Sequence, residues 1–224
     1  MSKIKSESIV KPKAILFDWD NTLADTWPTI HEALTKTFEQ MGHTPWTFAQ
    51  TKERVHRSLR DSFPEIFGQQ WEQAGKLYIT HFESIHLDRL QALEGAEDVL
   101  RALLGTDIYV AVVSNKTGYN LRREITHLGW DKYFQKAVGA KDAAQDKPSP
   151  DPVHMALEGS RILPSEQVWL VGDSVTDLEC AHNSKCIPVF YGHEDLMEER
   201  FKHCQPSLHV QDHKVLKRIV DHFV

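Results

Sequence analysis

The feature that most constrains the fold is a short apolar run, residues 14–17, followed by two aspartates one residue apart, Asp18 and Asp20. Strands covered on both faces of a parallel sheet read as continuous apolar stretches. Ligands of open α/β sheets bind at the carboxyl ends of such strands. Aspartate also favours turns, so this run alone is compatible with either a polar turn or a binding site.

Two later apolar runs, residues 108–113 and 168–171, repeat the pattern of a buried strand that ends in polar side chains. A lysine followed by a proline lies between these two runs in the chain. If the runs are parallel strands of one sheet, their polar ends meet at one edge. In chain order the polar residues are Ser114, Asn115, Lys147, Asp173 and Asp177.

If one edge of a sheet gathers the four carboxylates of Asp18, Asp20, Asp173 and Asp177, they need a cation. Two like charges about 4 Å apart repel by roughly 4 kcal/mol at an effective dielectric constant near 20. Several such pairs would rival the roughly 5–15 kcal/mol by which a whole domain is stable. Carboxylate oxygens are hard ligands that favour Mg²⁺, and Lys147 supplies a second positive charge. The sequence therefore predicts a Mg²⁺ cofactor.

Composition sets broad limits. The chain has 224 residues, of which 41% are hydrophobic and 26% charged, as is typical of globular proteins. Its formal net charge of −6 gives no reason to expect a nucleic-acid partner. No run of about eighteen apolar residues predicts a membrane helix. Three cysteines without a CxxC pair favour a reducing, cytoplasmic setting.

The chain divides into three parts by pattern. Residues 1–12 are polar and predict a loose leader. Residues 24–92 follow helical periodicity and predict an all-helical domain inserted after the first strand. Residues 13–23 and 93–224 alternate strands with helices, which predicts an α/β domain with a parallel sheet. Its later helices are expected at 96–104, 118–128, 152–161 (with Asp151 as N-cap), 178–183 and 216–223, and its later strands at 108–113, 134–138, 168–171 and 187–191.

These motifs, in this order, resemble the haloacid dehalogenase (HAD) superfamily and its phosphoglycolate phosphatase-like branch. The resemblance implies a Rossmann-like parallel sheet of order 5-4-1-2-3 with a helical cap domain. Asn21 stands where the family usually has glycine, but asparagine tolerates left-handed backbone angles. Trp19 replaces a usual aliphatic residue. The matching motifs are Asp18-x-Asp20-x-Thr22-Leu23, Ser114-Asn115, Lys147-Pro148 and Gly172-Asp173-(x)3-Asp177.

The resemblance also implies roles. Asp18 is the expected nucleophile that forms an aspartyl-phosphate, and Asp20 is the expected general acid and later base. The phosphate-binding groups are expected to be Ser114, the backbone amide of Asn115, and Lys147. The expected metal ligands are Asp18, Asp20 through its carbonyl, and Asp173. Asp177 is expected either to hold the metal through water or to steady Lys147. The sequence does not decide whether the Lys147–Pro148 bond is cis or trans.

The leading function is therefore a Mg²⁺-dependent phosphatase that acts on a small phosphorylated metabolite such as phosphoglycolate or a sugar phosphate. A phosphomutase similar to β-phosphoglucomutase uses the same motifs and remains the alternative. A 2-haloacid dehalogenase generally lacks the acid at Asp20, and a non-catalytic relative usually loses one of the acids. In the helical part, Arg54, Arg57 and Arg60 recur every three residues, a spacing that predicts one shared helical face; they are interpreted either as substrate anchors or as a solvated stripe. A monomer and a homodimer are equally compatible with the sequence.

Overall fold

The structure is a computed structural model that describes residues 10–223. Residues 1–9, which make up most of the predicted leader, lie outside the described residues. The described chain forms a six-stranded sheet and a two-stranded pair. Its strands are β1 (Ala14–Phe17), β2 (Ala24–Asp25), β3 (Gln91–Ala92), β4 (Tyr109–Thr117), β5 (Lys136–Ala140), β6 (Val168–Gly172), β7 (Ile187–Tyr191) and β8 (Leu208–Val210).

The large sheet is parallel throughout and has the order β5-β4-β1-β6-β7-β8. Five of these strands were predicted, and they occur in the predicted order. The sheet differs from the prediction in its sixth strand, β8, which extends the edge beyond β7. Strand β1 lies at the centre, where Phe17 pairs with Val112 of β4 and Val171 of β6. This register brings the residues that follow β1 and β6 side by side.

Helices cover both faces of this sheet. Successive side chains of a strand point to opposite faces, and in β1 Ile15 and Phe17 join one apolar cluster while Ala14 and Leu16 join another. Both faces of the central strand are therefore buried, which explains its unbroken apolar run. The covering helices are α5 (Ala96–Leu103), α6 (Gly118–His127), α7 (Asp151–Leu157), α8 (Val175–Asn183) and α9 (His213–Val220).

Four helices lie between β2 and β3 and form what we call the helical insert, residues 24–92. β2 and β3 pair antiparallel, so the chain leaves and re-enters the α/β part at one stem. The helices are α1 (Trp27–Gln40), α2 (Phe48–Arg54), α3 (Leu59–Phe67) and α4 (Trp71–Arg89). They enclose their own apolar core, which includes Ile30, Leu34, Phe38, Phe63, Phe67 and Phe82.

Some predicted helix boundaries were wrong by a few residues. Helix α7 ends at Leu157 rather than at residue 161, and Asp151 is its first residue, with Pro150 at the N-cap. Helix α9 begins at His213, earlier than predicted, because the side chain of Asp212 caps it by accepting a hydrogen bond from the Val215 N–H. Within the described residues, no helix combines the length and the hydropathy that crossing a membrane requires.

Candidate active site

Three carboxylates meet where β1 and β6 end. Asp18 directly follows β1, and its backbone N–H donates to the carbonyl of Val171 at 2.8 Å. Asp173 directly follows β6, and Asp177 lies one helical turn later in α8. One carboxylate oxygen from each of the three lies within 4.8 Å of the others. The predicted convergence of Asp18, Asp173 and Asp177 is thus present in the structure.

Lys147 lies between two of these acids. Its Nζ is 2.8 Å from Asp18 Oδ1 and 2.6 Å from Asp177 Oδ1, and its side chain is buried. The side chain of Asn115 holds the lysine backbone from both sides. It accepts from the Lys147 N–H at 2.9 Å and donates to the Lys147 carbonyl at 3.0 Å. The Lys147–Pro148 bond is cis. Asn115 therefore orients the lysine through its side chain, which the sequence did not reveal.

Helix α8 fixes the carboxylate of Asp177. Ser174 and Asp177 form a capping box: the Ser174 hydroxyl accepts from the Asp177 N–H, and Asp177 Oδ2 accepts from the Ser174 N–H at 3.0 Å. The other oxygen, Oδ1, remains free to pair with Lys147. A Cβ atom at Gly172 would lie 2.2 Å from the carboxyl carbon of Asp177. Only glycine fits at this position, because the acid packs against its backbone.

The acids and Lys147 perturb one another strongly. Burial, together with the charges of Asp177 and Asp20, raises the pKa of Asp18 to about 7 against the opposing effect of Lys147. Burial and the same clustering raise the pKa of Asp173 well above its ordinary range. Both carboxyl groups thus resist ionisation in the absence of a further cation. Buried oxygen ligands with an excess of negative charge fit a hard divalent cation.

Asp20 faces a different partner. Its Oδ1 lies 2.7 Å from Nζ of Lys116, a buried lysine that also pairs with Glu124 at 2.7 Å. The carboxylate of Asp20 does not belong to the group of three acids. The next residue, Asn21, has φ of 58°, so asparagine does occupy the left-handed region where the family usually has glycine. Lys116 directly follows the predicted Ser114–Asn115 pair, but no pattern in the sequence predicts its role.

A cleft opens between this site and the helical insert. Its α/β side includes the buried Ser114, whose hydroxyl accepts from the Lys116 N–H at 3.2 Å. Its other side is largely apolar and is lined by residues that include Ile30, Val55, Leu59, Tyr78 and Phe82. The insert therefore covers part of the site, and charges in this partly enclosed cleft interact more strongly than in open solvent.

The three arginines of the insert end up in different places. Arg57 lines the cleft, and its Nη1 lies 3.5 Å from Oε1 of Glu65. Arg54 lies outside the cleft wall and stacks over Trp46, 5.1 Å from the ring centre. Arg60 forms a two-bond ion pair with the buried Asp146, at 2.6 and 2.5 Å. The predicted shared helical face of Arg54, Arg57 and Arg60 is therefore wrong, because α2 ends at Arg54 and α3 begins at Leu59.

Two polar contacts beside the acidic cluster are among those that join the insert to the α/β part. One is the Arg60–Asp146 pair, which joins α3 to the loop immediately before Lys147. The other is a hydrogen bond from the Thr176 hydroxyl in α8 to the carbonyl of His56, at 2.9 Å. Both contacts lie beside the acidic cluster, so the position of the insert and the geometry of the site are linked.

The fold and the site together define an α/β protein with an acid-rich centre at the carboxyl ends of its parallel strands. A family model described as haloacid dehalogenase-like hydrolase matches residues 15–189. The chain belongs to this family, which confirms the resemblance drawn from its motifs.

Individual relatives agree with this assignment. A Caldanaerobacter subterraneus protein that carries the name of the pyrophosphatase PpaX is 30% identical over 215 residues, which cover 94% of this chain and 96% of the relative. A phosphoglycolate phosphatase from Xylella fastidiosa is 28% identical over 174 residues, which cover 76% of each protein. The crystal structure of a predicted phosphatase from Clostridium acetobutylicum superposes with a TM-score of 0.83. It is 19% identical, and the match covers 95% of this chain and all of the other, so it establishes the fold alone.

Proposed function

We propose that this HAD-like hydrolase is a phosphatase that releases phosphate from a small phosphomonoester, of the phosphoglycolate or sugar phosphate type. The observation that carries the proposal is the convergence of Asp18, Asp173 and Asp177 in a cleft that also contains Ser114, with Lys147 paired to Asp18 and Asp177. The names of the two relatives, a pyrophosphatase and a phosphoglycolate phosphatase, support phosphoryl transfer as the chemistry.

The proposed reaction has two steps. In the first, a carboxylate oxygen of Asp18 attacks phosphorus, the bond from phosphorus to the leaving oxygen breaks, and Asp20 protonates that oxygen. In the second, Asp20 takes a proton from a water molecule, whose oxygen attacks the phosphorus of the aspartyl-phosphate. Inorganic phosphate leaves and the Asp18 carboxylate is restored. Lys147, the Ser114 hydroxyl and the backbone amide of Asn115 are the proposed donors to the phosphoryl oxygens.

The acidic cluster is the proposed site of the cofactor. The donor set consists of carboxylate oxygens, and the raised pKa values of Asp18 and Asp173 favour an added cation, which fits Mg²⁺. Asp18, Asp173 and Asp177, with the carbonyl of Asp20, are the proposed ligands. Bound Mg²⁺ supplies positive charge that offsets repulsion between the nucleophile and the phosphoryl oxygens.

The helical insert is the proposed cap domain, and residues 13–23 and 93–224 are the proposed catalytic domain. Closure of the insert excludes water from the reacting groups and selects the leaving group. Arg57 is the proposed rim contact for an acidic substrate, because it lines the cleft whereas Arg54 does not. The proposed setting is the cytoplasm, in keeping with three cysteines that are buried and unpaired.

Phosphate release tests the proposal. We expect the purified protein to hydrolyse p-nitrophenyl phosphate, 2-phosphoglycolate or pyrophosphate in millimolar Mg²⁺. We expect EDTA to abolish turnover and added Mg²⁺ to restore it, because the acids need a cation to act together. Turnover that persists in EDTA would contradict the proposed role of the cluster.

A pair of asparagine variants separates a local effect from a general one. Asp173→Asn removes a proposed ligand, and we expect it to raise the Mg²⁺ concentration needed for half-maximal rate about tenfold or more. Asp107→Asn makes the same chemical change at an exposed acid that pairs with Lys11, remote from the cleft. That control is expected to keep the wild-type rate and the wild-type Mg²⁺ dependence.

A further inference from the structure

A chain of buried charged groups extends from Asp20 into the core. Lys116 Nζ lies 2.7 Å from Asp20 Oδ1 on one side and 2.7 Å from Glu124 Oε2 on the other. Glu124 is fully buried in helix α6. Burial alone would raise the pKa of Glu124, but the charge of Lys116 and three hydrogen-bond donors hold it below its ordinary value. Glu124 is therefore a buried carboxylate that stays ionised.

The three donors to Glu124 come from three separate elements. The indole N–H of Trp19, in the loop after β1, donates to Oε2 at 2.6 Å. Nδ1 of His86, in α4 of the helical insert, lies 2.7 Å from Oε1. Lys116, at the end of β4, supplies the third. Replacing a buried ion pair by well-packed apolar groups of similar volume is often neutral or even stabilising. The arrangement therefore needs an explanation other than stability.

Glu124 also holds Trp19, the residue between Asp18 and Asp20, through a hydrogen bond. Trp19 lies between Asp18 and Asp20 in the chain, and its ring packs edge-on against Trp130 and Phe134. The hydrogen bond to Glu124 fixes the polar edge of the same ring. The Glu124 carboxylate thus holds Lys116, which pairs with the Asp20 carboxylate. It also holds Trp19, the residue that precedes Asp20 in the chain.

We propose that Glu124 is a positioning residue for phosphoryl transfer, which holds Lys116 and Trp19 so that the Asp20 carboxyl group faces the leaving oxygen. The proposal deepens the proposed function and rests on it, because it assumes that Asp20 protonates the leaving group. His86 adds the helical insert to the same network, so the position of Asp20 depends on α4 being packed against α6.

The leaving group distinguishes positioning from a structural role. p-Nitrophenyl phosphate releases p-nitrophenolate, a stable anion that needs little protonation. p-Nitrobenzyl phosphate releases an alkoxide, which needs a proton from the general acid. The two esters have nearly the same size and charge. For each enzyme, kcat/KM reports the steps up to departure of the leaving group. The ratio of the two kcat/KM values therefore measures how well Asp20 is placed.

We expect Glu124→Gln to lower kcat/KM for the benzyl ester about tenfold more than for the phenyl ester, a part of the 10²–10⁴ that general acids typically contribute. Asp20→Asn removes the proposed acid itself, so it should change the ratio of the two kcat/KM values in the same direction and by the largest amount. Lys116→Met should give the same signature, and Glu124→Gln added to Lys116→Met should change the ratio no further. Glu97→Gln, at a partly exposed glutamate that accepts from the Tyr133 hydroxyl at 2.8 Å, is the matched control.

Each result decides the matter. An equal loss on both esters, or no loss, would overturn the proposal and leave Glu124 with a structural role only. If Glu124→Gln does not fold, as judged by circular dichroism, the ratio for Lys116→Met decides in the same way. Failure of the wild-type protein to hydrolyse either ester would instead refute the phosphatase assignment itself, and this inference with it.

Discussion

Asp18→Asn is expected to lower kcat for p-nitrophenyl phosphate at least about a thousandfold, because it removes the nucleophile of the proposed covalent step. The amide has nearly the shape of the carboxylate, so the cleft should keep its form. Initial rates of nitrophenol release in Mg²⁺ measure the effect. Asp107→Asn, the exposed control, should match the wild-type rate, and comparable rates for the two variants would contradict the assignment of Asp18.

The same Asp18→Asn substitution is expected to stabilise the cation-free fold. The pKa of Asp18 is raised from 3.8 to about 7, chiefly by burial, so ionising it costs the folded state free energy. This free-energy cost is absent below about pH 4, grows as the pH rises from about 4 to about 7, and then reaches its full size. In EDTA, the thermal midpoint of the variant should therefore exceed that of the wild type by more at pH 8 than at pH 4.5. A lower midpoint at pH 8 would mean that the Lys147 ion pair outweighs burial.

Lys147→Met is expected to lower the free energy of unfolding by about 3–5 kcal/mol, the usual cost of removing one partner from a buried charge pair. Lys147 is the buried cation that lies between Asp18 and Asp177, and methionine fills similar space without charge. Urea denaturation followed by tryptophan fluorescence measures the loss. Because a bound cation replaces part of the missing charge, millimolar Mg²⁺ should recover a measurable part of it.

A surface lysine provides the control for Lys147→Met. Lys214 pairs with Glu94 at 2.7 Å, but both side chains are largely exposed. Exposed ion pairs are screened by water and contribute little, so Lys214→Met should leave the free energy of unfolding close to the wild-type value. If the two methionine variants lose similar amounts of stability, or if Mg²⁺ has no effect on Lys147→Met, then Lys147 does not balance the acidic cluster.

Residues at strand ends were the part of the site that the sequence could predict. Asp18 and Asp173 each follow an apolar run directly, and parallel strands deliver such residues to one edge of a sheet. The order of the five predicted strands required the family resemblance, because periodicity does not say which strands are neighbours. Strand β8 was missed because three residues are too few to show an alternating pattern.

The network behind Asp20 could not be predicted for a different reason. Glu124 lies in a helix among polar residues, where glutamate is ordinarily exposed. Its burial follows from contacts with Trp19 and His86, which are 105 and 38 residues away in the chain. One signal was present in the sequence: tryptophan between the two aspartates brings an indole N–H that, when buried, needs an acceptor. Nothing local identifies that acceptor.

Trapping the covalent intermediate tests the central claim most directly, namely that Asp18 receives the phosphoryl group. The enzyme would be quenched in acid during turnover of a radiolabelled phosphomonoester, digested, and mapped by mass spectrometry. With p-nitrophenyl phosphate, whose leaving group needs little protonation, we predict one phosphoryl group, released by hydroxylamine and placed on Asp18 by fragmentation of its peptide. More of it should accumulate in Asp20→Asn, whose second step lacks its base. A phosphoryl group on a different residue would contradict the proposal.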